Sequence, residues 1–229
     1  MSDARTRILG AVRESLIRAV LPDAPAELER PHSGQSAVLP DAQVMVDTFT
    51  AALEGLTGRV RRVATAADAA AAVFEIAAEH GAAEYLSWDD DALACLGMEA
   101  ALASRGMRRV AYNIPADPAQ RQHTMDLLAG VGIGLTGADA ALADTGALVL
   151  AAGPGRGRLA SLLPPVHVAI VPVDRLVPSL GALIEARPGL LRESSNVVVI
   201  AGPSRTADIE MTLTHGVHGP KHVYVVLVG

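Results

Sequence analysis

Residues 196–228 read NVVVIAGPSRTADIEMTLTHGVHGPKHVYVVLV. One apolar, β-branched run opens the stretch at Asn196–Ile200, another closes it at Val223–Val228, and each is too short for a free-standing helix. Between them a Gly-Pro turn, a polar segment and a glycine-rich loop give the order strand, turn, helix, loop, strand. Both strands are expected in one sheet, with the helix beginning within about two residues of Ser204. Gly202 lets the chain turn tightly, and Pro203 and Ser204 suit a helix start. The first N–H groups of such a helix lack partners and can hold an anion.

Arg205, Thr206, Asp208, Glu210, His215, His218 and Lys221 crowd this segment among small neighbours. Ser204 as a cap, with Asp208 and Glu210 complementing the helix dipole, would account for some of them. Capping needs only one or two such residues, so the cluster marks a candidate site. Arg205 would contact the anion, Ser204 and Thr206 would cap or donate, Asp208 would orient a hydroxyl or base, and His218 would carry a proton. Gly202, Gly216 and Gly219 count with them as ligand-binding positions. His215, His218 and His222 have the spacing of metal ligands, but His222 stands at a strand entry and need not converge with the others. No metal is assigned.

Outward from this stretch the chain alternates. Arg59–Ala64, Ala83–Trp88, Val110–Asn113 and Val166–Val171 read as strands, and Thr65–His80, Met98–Arg105, Pro118–Ala129 and Asp174–Ala186 as helices. Alternation of this kind predicts an α/β fold, a three-layer α/β/α arrangement on a largely parallel sheet. Ala140–Leu150 interrupts it with two short apolar runs meeting at Thr145-Gly146, as a hairpin would. Asp3–Val20 is an amphipathic helix followed by a proline-punctuated stretch, and Asp41–Leu56 is a helix with Val46, Phe49, Leu53 and Leu56 on one face. The expected division is therefore a helical N-terminal arm and loop over residues 1–57 and an α/β domain over residues 58–229.

Composition narrows the function. The 229 residues are 50% hydrophobic and 3% aromatic, with a formal charge of -6. That balance offers neither a basic track for phosphates nor a stacking platform, so no nucleic-acid partner is expected. A single cysteine, Cys95, cannot hold an iron-sulfur cluster by itself. No apolar run nears the roughly 20 residues that span a bilayer, and the N-terminus is not a signal segment, so no membrane insertion and a cytoplasmic location are expected. Gly132, Gly134 and Gly137 form a G-x-G-x-x-G, but a helix precedes it and a strand follows, the reverse of the dinucleotide fingerprint. Gly153–Arg158 reads as an exposed loop with two solvated arginines, of which Arg158 could reach a carboxylate or phosphate. His167, on a strand, reads as hydrogen-bonded and half-buried.

GPSRTADIE and GVHGP, with the upstream GADAALADTGALVL at Gly137–Leu150 and SLLPPVHVAIVP at Ser161–Pro172, resemble the LUD-domain family. The four segments stand in the family's order from about Gly137 to the C-terminus. The family's upstream motif usually reads Ala-Glu-Thr-Gly-Thr, where this chain has Ala143-Asp144-Thr145-Gly146-Ala147. The resemblance implies a fold similar to the NagB/RpiA/CoA-transferase class. It also implies a role beside iron-sulfur partner proteins in oxidising L-lactate to pyruvate, while the single cysteine and the misplaced glycine fingerprint lead to the expectation that this chain itself binds no cofactor. The site would form where the Asp144 hairpin, including Thr145 and Gly146, and the Arg205 turn approach the carboxyl ends of the strands, and would take a small carboxylate or phosphate-bearing ligand, Asp144 orienting a hydroxyl or base. A stand-alone enzyme of the phosphosugar or CoA-transfer type, with Asp144 as nucleophile or base, and a non-catalytic scaffold are the other two readings.

Overall fold

A computed structural model describes residues 2–18, 41–89, 91–111, 113–207, 213–215 and 218–229. The chain divides into two compact units, Met1–Val38 and Leu39–Gly229. In the first, α1 is Ser2–Arg18. The second begins with α2 (Ala42–Gly55) and β1 (Arg59–Val63), then α3 (Ala66–Glu79), β2 (Glu84–Ser87), α4 (Asp91–Cys95), α5 (Met98–Ala103) and β3 (Arg108–Arg109). It continues with α6 (Pro118–Ala129), β4 (Ile133–Thr136), β5 (Ala140–Leu142), β6 (Ala147–Ala151), α7 (Leu159–Leu162), β7 (Val166–Pro172) and β8 (Leu176–Val177). Last come α8 (Leu180–Ala186), α9 (Leu190–Glu193), β9 (Val197–Ile200), β10 (Arg205–Ala207), β11 (Leu213–His215) and β12 (His222–Val228).

Six strands form an all-parallel sheet in the order β1-β12-β7-β4-β2-β3, flanked by helices as the three-layer α/β/α expectation requires. β7 (VHVAIVP) and β12 (HVYVVLV) are buried along nearly their whole length, which is why they read as continuous apolar runs rather than alternating ones. Gly134 in β4 lets α7 press on the sheet, since a Cβ there would overlap the Ala160 carbonyl. After β2 the chain crosses to β3 on one side, whereas β4 lies on the other side of β2 and is followed outward by β7 and β12. Strand order therefore reverses between β2 and β4, and a crevice is expected beyond their carboxyl ends.

A second sheet, β8-β5-β6-β9, packs against the first. In β6, Leu148 and Leu150 join the main core while Ala147, Val149 and Ala151 face a smaller core with Leu183 of α8 and Leu190 of α9. Period-two alternation thus serves two cores at once.

This sheet overturns two sequence expectations. Asn196–Ile200 and Val223–Val228 belong to different sheets, because β9 pairs antiparallel with β6 and β12 pairs parallel with β1 and β7. An apolar run specifies burial, not its partner, and β6 offered an apolar edge (Leu148 opposite Ile200). No helix starts at Ser204 either: Arg205–Ala207 is extended and pairs with Leu213–His215. The Ser204 N–H is donated to Pro220 O at 2.9 Å, which ties the entry of this ribbon to the chain returning from it. The helix expected over Asp174–Ala186 is shortened to α8, because Pro178 lies in its path and Ser179 caps α8 by accepting from Ala182 N at 3.2 Å. The strand expected over Val110–Asn113 is Arg108–Arg109 instead.

α2 keeps the predicted buried face, with Val46, Phe49 and Leu53 in the core. It ends in a Schellman turn: Gly58 N–H reaches Leu53 O at 3.0 Å and Thr57 N–H reaches Glu54 O at 2.9 Å. Thr57, not Gly58, takes the left-handed position, with φ 66°. Among the described residues no helix is long and apolar enough to cross a membrane.

Candidate active cleft at the strand-order reversal

A crevice does open beyond β2 and β4. Its apolar lobe, about 460 Å³, is floored by Tyr85 and Leu135 and walled by Leu93 and Met98. A more polar lobe of about 530 Å³ adjoins it, lined by Asn113 and by Gly153, Gly155 and Gly157. Asp89, Glu99 and Arg109 border both.

Four segments make this rim. Trp88 continues β2 by donating its N–H to Leu135 O (3.1 Å), and Asp89 N–H is donated to Gly155 O (2.9 Å). The Trp88 indole N–H reaches Gly157 O at 2.9 Å, and the Arg156 guanidinium lies 4.4 Å above the indole centroid. Arg156 is in turn paired with Asp139, whose side chain is only 5% exposed and also accepts the Ala151 N–H at 2.7 Å. Arg187 stands 3.6 Å from the same carboxylate. Gly155 needs its φ of 71°, and a Cβ there would come within 2.8 Å of Asp89 O. The loop expected to be open, with solvated arginines, is therefore tied to β2 at three points. Arg158 does remain exposed, at the start of α7, just past Gly157.

Arg109, at the end of β3, donates to Glu99 at 2.8 Å, to Ser87 O at 3.3 Å and to Asp89. Burial works against its charge, but the two carboxylates more than offset that and raise its pKa further. Tyr85 is almost fully buried on the floor of this cleft. Burial and the nearby Glu99 charge push its pKa up, against Arg109. His167 of β7 shares a 2.8 Å hydrogen bond with Thr136 of β4. It is fully rather than half buried, its Nδ1 has no partner, and burial lowers its pKa to about 4.

The residues singled out from sequence lie elsewhere. Asp144 and Thr145 are exposed on the β5–β6 turn, where Asp144 N–H is donated to Pro178 O at 3.1 Å. Gly146, with φ 65°, is pressed so closely on α2 that a Cβ would overlap the Leu53 backbone. Gly202, with φ 94°, packs on Leu56, and Gly219 sits against Ser204. The Arg205 guanidinium donates to Leu56 O and, at 2.7 Å, to Thr57 Oγ1. The Asp144 turn and the Arg205 turn meet at the last turn of α2, which leads into the start of β1, and not at the carboxyl ends of the parallel strands where the pocket was expected. Arg205 is a cation at a helix C-terminus, where the dipole favours it, and not at a helix start. His218 is exposed. Asp208, Gly216 and the Thr206 side chain lie outside the described residues, as does His215's; among the described residues no group of acidic, histidine or cysteine side chains could hold a metal.

Sequence reading missed Asp89, Glu99, Arg109 and the Asp139–Arg156 pair. One signal was present: the run Asp89-Asp90-Asp91 directly after a strand, beside the chain's single tryptophan.

The LUD domain profile matches residues 46–228. A lactate utilization protein C from Exiguobacterium sp. is 43% identical over 116 residues, which is 49% of this chain and 50% of that protein. One from Macrococcus caseolyticus is 31% identical over 67% of this chain and 65% of its own length, and one from Halalkalibacterium halodurans 32% over 69% and 67%. The matched stretch therefore spans between half and two thirds of these relatives. A crystal structure of a DUF162 family protein from Deinococcus radiodurans superposes with a TM-score of 0.59 at 22% identity, over 82% of this chain and 99% of that one, and supports the fold.

Proposed function

The chain belongs to the LUD domain family, and from that premise we propose that it is a component of a cytoplasmic L-lactate utilization system whose redox centres sit on iron-sulfur partner proteins. The observation that carries this reading is the match to relatives named lactate utilization protein C, over 49–69% of this chain. One cysteine leaves the chain unable to ligate a cluster alone, which fits a system whose iron-sulfur clusters sit on partner chains. Arg205, engaged at the end of α2, is not the anion clamp in this reading. Ligand binding passes to the cleft beyond β2 and β4, where the strand order reverses.

Asp144 is exposed and lines neither lobe of the cleft, which favours a subunit over a stand-alone enzyme built on that carboxylate. A strain lacking this chain should fail to grow on L-lactate while growing normally on pyruvate, and the restored chain should co-purify with proteins showing iron-sulfur absorbance. Undiminished growth on L-lactate without the chain would overturn the reading.

A further inference from the structure

A strand at the edge of a sheet presents a row of unpaired N–H and C=O groups, and proteins blunt such edges by keeping them short or charged. The six-stranded and four-stranded sheets have four edge strands, β1, β3, β8 and β9. β3 and β8 are two residues long, and β1 (RVRRV) carries Arg59, Arg61 and Arg62. β9 (VVVI) has neither defence. From Ser194 to Ser204 the chain holds no charged residue, and Val199 is 47% exposed. Helix α9, which leads into β9, leaves Leu191 60% exposed.

Register decides which backbone groups of β9 point outward. The Ala152 N–H is donated to Asn196 O at 2.8 Å, one step before the Val197–Ala151 pair. Bonding alternates along an antiparallel ladder, so Asn196, Val198 and Ile200 turn their N–H and C=O toward β6, and Val197 and Val199 turn theirs away. On β6 the phase agrees: the Val149 carbonyl, opposite Val199, accepts the Asp139 N–H at 2.8 Å on the side away from β9. Among the described residues no strand pairs with the outer side of β9. Its outward donors and acceptors, two residues apart, match themselves about a two-fold axis at Val198, setting Val197 against Val199 of a second copy. Val198 then faces its own counterpart and Asn196 faces Ile200, with no charge against a like charge. The same operation on β1, centred on Arg61, would set arginine against arginine.

We propose that β9 is the contact between two copies of this chain, which pair antiparallel about Val198 and join their β8-β5-β6-β9 sheets into one continuous sheet. Each copy satisfies the outward N–H and C=O groups of the other, and Val199 is covered by Val197 across the axis. The contact does not depend on the lactate role, so failure of either leaves the other standing.

Sedimentation velocity of the full-length chain at micromolar concentration should show a dimer. Val199→Lys adds a charge at an exposed position, leaves the bonds to β6 in place, and should raise the dimer dissociation constant at least tenfold. The register is read by Val198→Cys in a Cys95→Ala background. Residues that face each other without mutual hydrogen bonds bring their Cα atoms within disulfide reach, so mild oxidation should cross-link this variant. Val199→Cys in the same background faces Val197 and should cross-link far less. Circular dichroism checks the fold of Val199→Lys, and should that variant not fold, the cysteine comparison decides alone. A chain that stays monomeric would overturn the proposal and leave β9 to a strand of a different protein. A dimer indifferent to a folded Val199→Lys, or one that cross-links no better through position 198 than through position 199, would overturn it as well.

Discussion

At the carboxyl ends of β2 and β4, Arg109 and Arg156 are held by carboxylates from other elements and border an open cleft; at the end of α2, Arg205 is held by a backbone carbonyl and a threonine hydroxyl. Both places are built from glycine-containing turns in left-handed conformation, Gly155 in one and Gly146 and Gly202 in the other. In the cleft the glycine lets a loop bond to a strand end and leaves space in front of it. At α2 the glycines remove space, bringing two turns into contact with the helix. Polar residues at a glycine turn therefore mark a site only when tertiary packing leaves a void beside them.

The sharpest way to break this comparison is Asp139→Ala. It leaves Arg156 and the Ala151 N–H without their buried acceptor, at an expected cost of about 3 kcal/mol, or roughly 6–12 °C in melting temperature for a chain of this size. Because Arg156 stacks on Trp88, the only tryptophan, intrinsic fluorescence should shift along with it. A variant with unchanged melting and emission would show that the cleft loop does not depend on this pair.

A second, smaller effect concerns the buried bond between β7 and β4. His167 has a folded-state pKa of about 4 against an ordinary value of about 6.5, so between these values the unfolded chain binds more protons than the folded one. Its stabilising contribution is complete above about pH 6.5 and is lost as pH falls toward 4, by about 2 kcal/mol between pH 7 and 5. Urea midpoints measured across that range should fall in the unaltered protein and fall distinctly less in His167→Gln, which can retain the bond to Thr136. Parallel profiles for the two proteins would remove His167 as the cause.

The smallest effect is expected at the region most conspicuous in sequence. Arg205→Ala removes an exposed cation from the C-terminus of α2 and should cost about 0.3–1 kcal/mol, with Trp88 emission unchanged. A loss of several kcal/mol, or a shift in Trp88 emission, would show that the α2 junction and the cleft are coupled rather than distinct.

Some features of this chain were legible because their causes are local. The β-branched runs of β7 and β12 declare burial on both faces, Val46, Phe49 and Leu53 declare the inner face of α2, and Thr145-Gly146 declares a hairpin turn. The motifs from Gly137 onward also placed the chain in its family. Strand partnership was not legible: residues 197–200 and 223–228 look alike in sequence, and only the competition between edges sent β9 to β6 and β12 to β7. The same holds for the site. Asp89, Glu99, Arg109, Asp139 and Arg156 come from separate connections, and no spacing along the chain encodes their meeting. Sequence by itself determined which segments are buried and where turns fall, since propensity and periodicity act over a few residues. Tertiary structure alone decided which polar groups face a void, because that depends on how two sheets and α2 share the same core.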